Sequence, residues 1–452
     1  MNLSLFLESF NQHLTLFVIF PAILILGFYL TWRLNWVQLF QMRASFFCLI
    51  KKEKGEEGNI SRFEAVAAVL AGNFGTGNIS GMAIALATGG PGALVWMWVM
   101  AFFGAAIQYA SCVLSVHFRY KRENGEYVGG PMYYLRDGLG FKGLAILFSV
   151  FAIFGAITVG NFAQINSLIL PLEKMGFNPF YCSLLIAALV AVVILGGIQR
   201  IARFATYVVP FKAAIYLGTA IFILLLNYEK VLPAFQLMFH AAFDLTAFTG
   251  GLLGFGIFRA IKTGFDRGLF ATDAGTGIVP ILQASARSQD PVMDGIATLV
   301  APLMVMIVCT TTGLVLIVTG AWQESGLQST NMVTHAFTTG LDSAIGGYIV
   351  MGSLLLFAYT TILAWSYCGE KALGFLIGAR HEKLFRIVYV LLIPVTTLIH
   401  VNTIWILADI AISLMLLINL IGVTCLSKLV IEATSTYQLK RSLIIDKSGD
   451  IG

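Results

Sequence analysis

The sequence predicts an all-α polytopic membrane protein with eleven transmembrane helices. Of its 452 residues, 58% are hydrophobic and only 11% are charged, which is typical of a membrane protein and not of a soluble globule. Apolar runs of about 20 residues recur along the chain, and each is long enough to cross a bilayer. Most charged residues lie between these runs, so the formal net charge of +5 gives no indication of nucleic-acid binding.

The predicted elements follow in chain order. The first span, at about 14–32, lacks the basic start and cleavage site of a signal peptide, so we expect a retained extra N-terminal helix within 1–61, followed by a basic cytoplasmic loop. An interrupted span covers 62–89. A mildly amphipathic segment at 230–248 is expected at the membrane interface, and a cytoplasmic tail at 431–452. The other spans are predicted at about 92–117, 143–170, 179–198, 204–227, 249–258, 294–320, 346–369, 384–401 and 404–427.

The span 62–89 is interrupted at its centre by Ala71-Gly72-Asn73-Phe74-Gly75-Thr76-Gly77-Asn78. Lipid cannot hydrogen-bond a loose backbone, so a broken helix at membrane depth needs protein or a cavity around it. Helix ends and freed carbonyls at such a break suit a zwitterion and a cation, which predicts a transporter site. Close packing through Gly77 and Gly81 is the alternative, and it leaves the polar residues unexplained. A phosphate loop would need a preceding strand and a Gly-Lys-Ser/Thr sequence.

Two groups of five helices, 62–228 and 229–430, follow the first helix. Because five is odd, the second group would cross the membrane with opposite polarity, as in inverted repeats. Gly75-Thr76-Gly77 recurs as Gly275-Thr276-Gly277, and Pro91 recurs as Pro291. We nevertheless expect the second break at Gly250–Gly256, because each charge between Arg259 and Asp273 would cost at least about 2.5 kcal/mol at mid-membrane.

The distribution of basic residues predicts the orientation. With the N-terminus outside, only Lys174 and Lys230 of the 28 lysines and arginines fall on the outer side. The positive-inside rule then places the C-terminus in the cytoplasm and the protein in the plasma (inner) membrane. The six cysteines form no Cys-X-X-Cys or Cys/His cluster, so we expect no disulfide, no structural metal and no cofactor.

Several motifs, spread over about 62–430, together resemble the alanine or glycine:cation symporters, the sodium:alanine symporter family. The resemblance implies a LeuT-type fold and sodium-coupled uptake of small neutral amino acids, alanine and glycine, by alternating access. Leu252 departs from it, since the family has a bulky aromatic there, and Asp273–Pro280 varies a pattern usually written with Glu and Ser-Ala-Pro. The matching motifs are Gly75–Gly81, Gly89–Ala93 with Trp96–Trp98, Gly129–Tyr134, Gly160–Asn166, Arg267–Phe270, Phe357–Leu363 with Trp365, and Gly369–Lys371.

The substrate site is predicted around the first break. Amides near Thr76 and Gly77 would meet the substrate carboxylate, and Gln164 would face the substrate unless it only joins helices. Buried amides need partners, since an unpaired one costs about 1–3 kcal/mol. Trp365 is either a pocket wall or a packing aromatic, and Gly250 and Gly251 would present backbone to the amino group. The predicted substrate-binding residues are Asn73, Thr76, Gly77, Asn78, Gln164, Gly250, Gly251, Leu252 and Trp365.

The sodium site is predicted from four oxygen ligands. The carbonyls of Ala71 and Phe74 would face the ion, and the hydroxyls of Thr360 and Thr361 would complete the cage. By spacing alone, back-bonding of these hydroxyls to the preceding helical turn is an equal alternative. The resemblance favours the sodium ligands.

Ionisable residues within spans give further hypotheses. Asp409 is a lone intramembrane acid, hence a cation or proton site by default, although a structural role as a helix cap is favoured. Glu370 and Lys371 are expected to form a solvated or gating pair at an inner helix end. Arg267 and Asp273 are expected at an inner gate.

Other functions find less support in the sequence. A channel would need a repeated pore lining, and an intramembrane enzyme would need an acid–base pair or a metal motif such as His-Glu-X-X-His, so we expect no enzyme. Proton coupling through Asp409 remains the alternative to sodium coupling. The expected partners are a small amino acid, Na⁺ and the lipid bilayer, and a monomer is compatible with the sequence.

Overall fold

The computed structural model describes residues 3–50, 57–243, 255–288, 290–324, 326–327 and 329–449. These residues are helical almost throughout, apart from an antiparallel hairpin of β1 (Tyr120–Lys121) and β2 (Tyr127–Val128). The helices are α1 Leu3–Leu14, α2 Phe20–Arg33, α3 Val37–Phe40, α4 Met42–Ile50, α5 Arg62–Asn73, α6 Ser80–Gly89, α7 Gly92–His117, α8 Pro131–Tyr133, α9 Lys142–Ile157, α10 Ala163–Lys174, α11 Pro179–Ile194, α12 Gly197–Leu226, α13 Tyr228–Phe243, α14 Phe255–Thr272, α15 Ile278–Gln283, α16 Pro291–Thr298, α17 Val300–Val318, α18 Ser329–Leu341, α19 Ile345–Ile377, α20 Glu382–Val395, α21 Val401–Cys425 and α22 Ser427–Gly449.

Within the described residues, seven helices are long and apolar enough to cross a membrane. They correspond to seven of the eleven predicted spans. Three others coincide with helices that are short or broken: α11, α20, and the pair α5 and α6. The predicted span 249–258 lies mostly outside the described residues, and its end overlaps the start of α14. The predicted tail is also helical as far as Gly449, since it lies within α22, which follows α21. This helix packs on the rest of the protein and buries Val430 and Thr434.

The predicted interruption of the first broken helix is confirmed. Helix α5 begins with a capping box, in which Ser61 and Glu64 satisfy each other's backbone amides. It ends at Asn73, and Gly75 is extended, with φ −97° and ψ −173°. A 3-10 turn at Thr76–Asn78 leads into α6.

A second break lies at Asp273–Gly277, between α14 and α15, where the charge argument had excluded one. Asp273, Gly275 and Gly277 all have positive φ, between 51° and 95°, which ends one helix before the next begins. Residues 250–254 lie outside the described part of the chain. The charge argument against a break at Asp273–Gly277 treated the charges of α14 as isolated, whereas the structure pairs them. Lys262 contacts Asp266 at 2.9 Å, for example, and Arg267 contacts Asp409.

Helix α19 packs against helices of both predicted groups, 62–228 and 229–430. It spans 33 residues and contacts α5, α9, α12 and α18. Its approach to the turn of π-helix at Thr158–Phe162 depends on Gly160, since a Cβ there would lie 2.2 Å from the Cβ of Trp365. The first break therefore faces α19 and α10 at the centre of the helix bundle.

Candidate functional site

Thr361 holds the end of α5 against α19. Its hydroxyl donates to the carbonyl oxygens of Ala71 and Gly72, each at 3.0 Å. These carbonyls belong to the last turn of α5, where the helix leaves its acceptors without intrahelical donors. Two predicted sodium ligands, Ala71 and Thr361, are thus in direct contact.

The other two predicted sodium ligands share an unexpected partner, Lys212. Its ammonium donates to the carbonyl oxygen of Phe74 at 2.9 Å and to the hydroxyl of Thr360. The Thr360 hydroxyl in turn donates to the carbonyl of Leu356 at 3.0 Å. The two alternatives considered for this hydroxyl, a bond to the preceding helical turn and contact with a cation, therefore occur together. Lys212 is fully buried, and sequence reasoning missed it. The available signal was a single lysine in the middle of an apolar span.

Gln164 lies directly on the first break. Its side-chain oxygen accepts from the amide of Thr76 at 2.9 Å, and its nitrogen donates to the carbonyl of Val159 at 3.0 Å. A Cβ at Gly75 would lie 3.0 Å from the same oxygen. The amide predicted to meet a substrate carboxylate therefore donates to the uncharged side-chain carbonyl of Gln164.

Two asparagines shape the break. The Asn73 amide donates to the carbonyl of Thr272 at 2.7 Å and so ties the first break to the second. The Asn78 amide donates to the carbonyls of Asn73 and Gly75, at 2.7 and 3.1 Å, and its oxygen accepts from the Cys309 thiol. Asn78 therefore supports the unwound backbone itself.

Three oxygen atoms around the two breaks are buried without a hydrogen-bond partner among the described residues. They are Oδ1 of Asn73, Oγ1 of Thr76 and Oδ1 of Asp273. Such atoms are rare in folded proteins, since an unmade buried hydrogen bond costs about 1–3 kcal/mol. Their presence at both breaks is the arrangement expected where a polar ligand completes the site.

The remaining predicted residues have mixed outcomes. Trp365 is 1% exposed and packs on Gly160, with its side chain beside Asp273. Asn161 donates to the carbonyl of Tyr389 at 2.8 Å and thereby joins helices. Gly250, Gly251 and Leu252 lie outside the described residues.

One end of the site is closed by aromatic rings and an ion pair; we call this the α6 side, where α6 ends at Gly89. The Phe270 ring covers Gly77, since a Cβ there would lie 2.6 Å from the ring. Arg267 pairs with both carboxylate oxygens of Asp409 and stacks on Trp405, 5.0 Å from the ring centre. Asp409 is therefore not a lone acid.

The opposite end, which we call the hairpin side because it carries β1 and β2, is closed by a charge network. Lys371 contacts Glu126 at 2.7 Å, Glu382 at 2.8 Å and Glu370 at 3.1 Å. Glu370 and Lys371 are each 2% exposed, so the expected solvated pair is buried. Burial alone would lower the pKa of Arg122 in the hairpin, but the hydrogen bond and charge of Glu382 raise it above its usual value. This network keeps its basic members charged.

Neither Arg267 nor Asp273 lies at this network. Arg267 is on the α6 side and Asp273 is in the second break, so neither contacts Glu370 or Lys371; their predicted role at an inner gate stays a prediction.

Gly75→Ala should destabilise the protein by about 1–3 kcal/mol, because the added methyl group overpacks the break. The new Cβ would lie 2.9 Å from the Thr361 hydroxyl and 3.0 Å from the Gln164 oxygen, so both contacts to the break must give way. Gly143→Ala is the matched control, because nothing lies within 4 Å of its Cβ. The measurement is the thermal unfolding temperature of the purified variants in detergent; equal unfolding temperatures for both variants would contradict this geometry.

Comparison with known proteins decides the family. The model of the sodium:alanine symporter family matches residues 1–448. The chain belongs to this family. It is 41% identical over 414 residues to a transporter of Haemophilus influenzae, covering 91% of each chain. It is 37% identical to the sodium/alanine symporter AgcS of Methanococcus maripaludis, covering 93% of this chain and 95% of that one.

Among solved structures, MhsT in complex with L-phenylalanine has a similar fold. The TM-score is 0.56 at 14% sequence identity, and the match covers 82% of this chain and 90% of MhsT. This sodium:alanine symporter family member is therefore an all-helical, multi-pass transporter with a LeuT-like fold, and not an enzyme. The resemblance drawn from the sequence motifs is confirmed.

Proposed function

We propose that this protein takes up small neutral amino acids, alanine and glycine, together with sodium. The observation that carries the proposal is the first break, where α5 opens its backbone at the centre of the bundle beside orphaned polar atoms. A broken helix of this kind presents amides to a carboxylate and carbonyls to a cation. Family membership supports the sodium and the amino acid.

The substrate carboxylate would replace the Gln164 oxygen at the Thr76 amide and extend to the amide of Gly77. A carboxylate accepts such bonds more strongly than a neutral carbonyl. We infer from the Phe270 ring over Gly77 and from the buried Trp365 that the substrate side chain is limited to a short one. Alanine and glycine meet that limit.

Sodium would bind between the last turn of α5 and α19. Its ligands would be the carbonyls of Ala71 and Phe74 and the hydroxyls of Thr360 and Thr361, which are the hard oxygen donors that alkali and alkaline-earth cations prefer. Sodium at this position fixes the break and so raises amino acid affinity. By linkage, the amino acid raises sodium affinity by the same factor.

Alternating access would use the two closed ends as gates. The Arg267–Asp409 pair would open on the α6 side and the Lys371 network on the hairpin side, as two inverted groups of five helices move against each other. With the N-terminus outside, the α6 side is extracellular. Helix α14 then adds Arg259, Lys262 and Arg267 to the outer half, and the excess of basic residues inside the cell persists.

The decisive experiment is uptake of labelled alanine and glycine into proteoliposomes, with and without an inward sodium gradient at constant ionic strength. Uptake that accumulates only with the sodium gradient is expected. Equal uptake in choline chloride would overturn sodium coupling, and no competition by either amino acid would overturn the substrate assignment.

Gln164→Glu should weaken alanine binding by about tenfold or more, because a second negative charge would lie where the substrate carboxylate binds. Gln164→Met removes the polar group without adding charge and should have a smaller effect. The half-saturating alanine concentration measures both. A larger effect of methionine than of glutamate would show that Gln164 only joins helices.

A further inference from the structure

We propose that Lys212 is a tethered stand-in for sodium, which fills the cation site while the carrier returns empty. The inference rests on the proposed sodium symport and assigns a step of that cycle to one residue. Its basis is that a built-in cation occupies the oxygens at which a free cation was predicted to bind.

The contacts of Lys212 are those of a bound cation. Its ammonium donates to the Phe74 carbonyl at 2.9 Å and to the Thr360 hydroxyl, and it lies 4.6 Å from the centre of the Phe357 ring. All these partners are uncharged. Among the described residues, no acidic side chain forms an ion pair with Lys212.

Sodium and the Lys212 ammonium cannot occupy the cage together. Both would bind the same Phe74 and Thr360 oxygens, and two positive charges so close in a buried site repel each other strongly. Sodium must therefore move the ammonium away from these oxygens, which the flexible four-carbon stem of lysine permits.

The replacement of sodium by the Lys212 ammonium has a consequence for the transport cycle. After releasing sodium and amino acid, a symporter must return empty, and an empty cage would leave the carbonyl of Phe74 without a partner. The ammonium supplies that partner and joins α12 to the break and to α19. Lys212 thus stabilises the sodium-free carrier in a closed form that can return.

The test compares net uptake with exchange in the full-length protein reconstituted in liposomes. Net alanine uptake requires the empty return, whereas exchange of labelled for unlabelled alanine, with saturating sodium on both sides, does not. For Lys212→Met we expect net uptake to fall at least about tenfold, with exchange largely retained, because only the empty form loses its cation. The sodium concentration for half-maximal exchange should fall about tenfold, because a competitor of sodium is gone.

The matched control is Lys230→Met, the same replacement at an exposed lysine, and it should change neither rate. Sodium-dependent exchange that declines in parallel with net uptake, at unchanged sodium affinity, would overturn the role of Lys212 and leave the proposed function intact. A wild type without sodium dependence would overturn both. If Lys212→Met does not fold, a wild-type structure at saturating sodium decides: Lys212 displaced from Phe74 supports the inference, and Lys212 still bound to Phe74 and Thr360 overturns it.

Discussion

Thr361→Val should lower sodium-dependent alanine transport by about ten- to hundredfold. The replacement keeps the shape of the side chain but removes the hydroxyl that binds the Ala71 and Gly72 carbonyls. Two buried acceptors then lose their donor, at about 1–3 kcal/mol each, and sodium loses a proposed ligand. The loss should be largest at low sodium and partly recovered at high sodium, because the defect lies in ion binding.

Thr361→Ser is the control, since it restores the hydroxyl with one methyl group less. Uptake measured against sodium concentration for both variants gives the half-saturating sodium concentration and the maximal rate. A valine variant with an unchanged sodium requirement would show that Thr361 only packs against α5.

Asp409→Asn should destabilise the protein by about 3–5 kcal/mol, because it leaves Arg267 buried without its counter-charge. Arg267 and Asp409 are 5% and 9% exposed, so water cannot compensate. The measurement is the thermal unfolding temperature of the purified protein in detergent.

The double variant Arg267→Met, Asp409→Leu is the control, since it removes both charges and should recover most of the stability. The same Asp409→Asn variant tests the alternative of proton coupling. Alanine uptake that changes from pH dependence to pH independence, with stability unchanged, would support Asp409 as a proton carrier and contradict the structural ion pair.

Local pattern was sufficient to predict the first broken helix. Gly75 and Gly77 lie among polar residues within a long apolar run. A continuous membrane helix would not require glycines and polar residues at its centre, so the pattern indicates a break. Thr361 and Gln164, which contact the break, were singled out as polar side chains in apolar spans. Spacing alone left a bond to the preceding turn equally open for Thr361, and only the family resemblance favoured it as a sodium ligand.

A break at Asp273–Gly277 was rejected from the sequence because the cost of charges depends on partners distant in sequence. Arg267 and Asp409 are 142 positions apart, and nothing near either residue shows that they meet. The recurrence of Gly75-Thr76-Gly77 as Gly275-Thr276-Gly277 did mark the second break, but the charge argument outweighed it. Lys212 was missed although the rule that singled out Asp409 applies equally to a lysine in an apolar span.

The most direct test of the account is the affinity of the purified wild-type protein for alanine, measured by equilibrium binding across a range of sodium concentrations at constant ionic strength. A break that holds the amino acid beside the ion predicts that alanine binds more tightly as sodium rises, and that alanine tightens sodium binding by the same factor. Alanine affinity that is equal in sodium and in choline would contradict it.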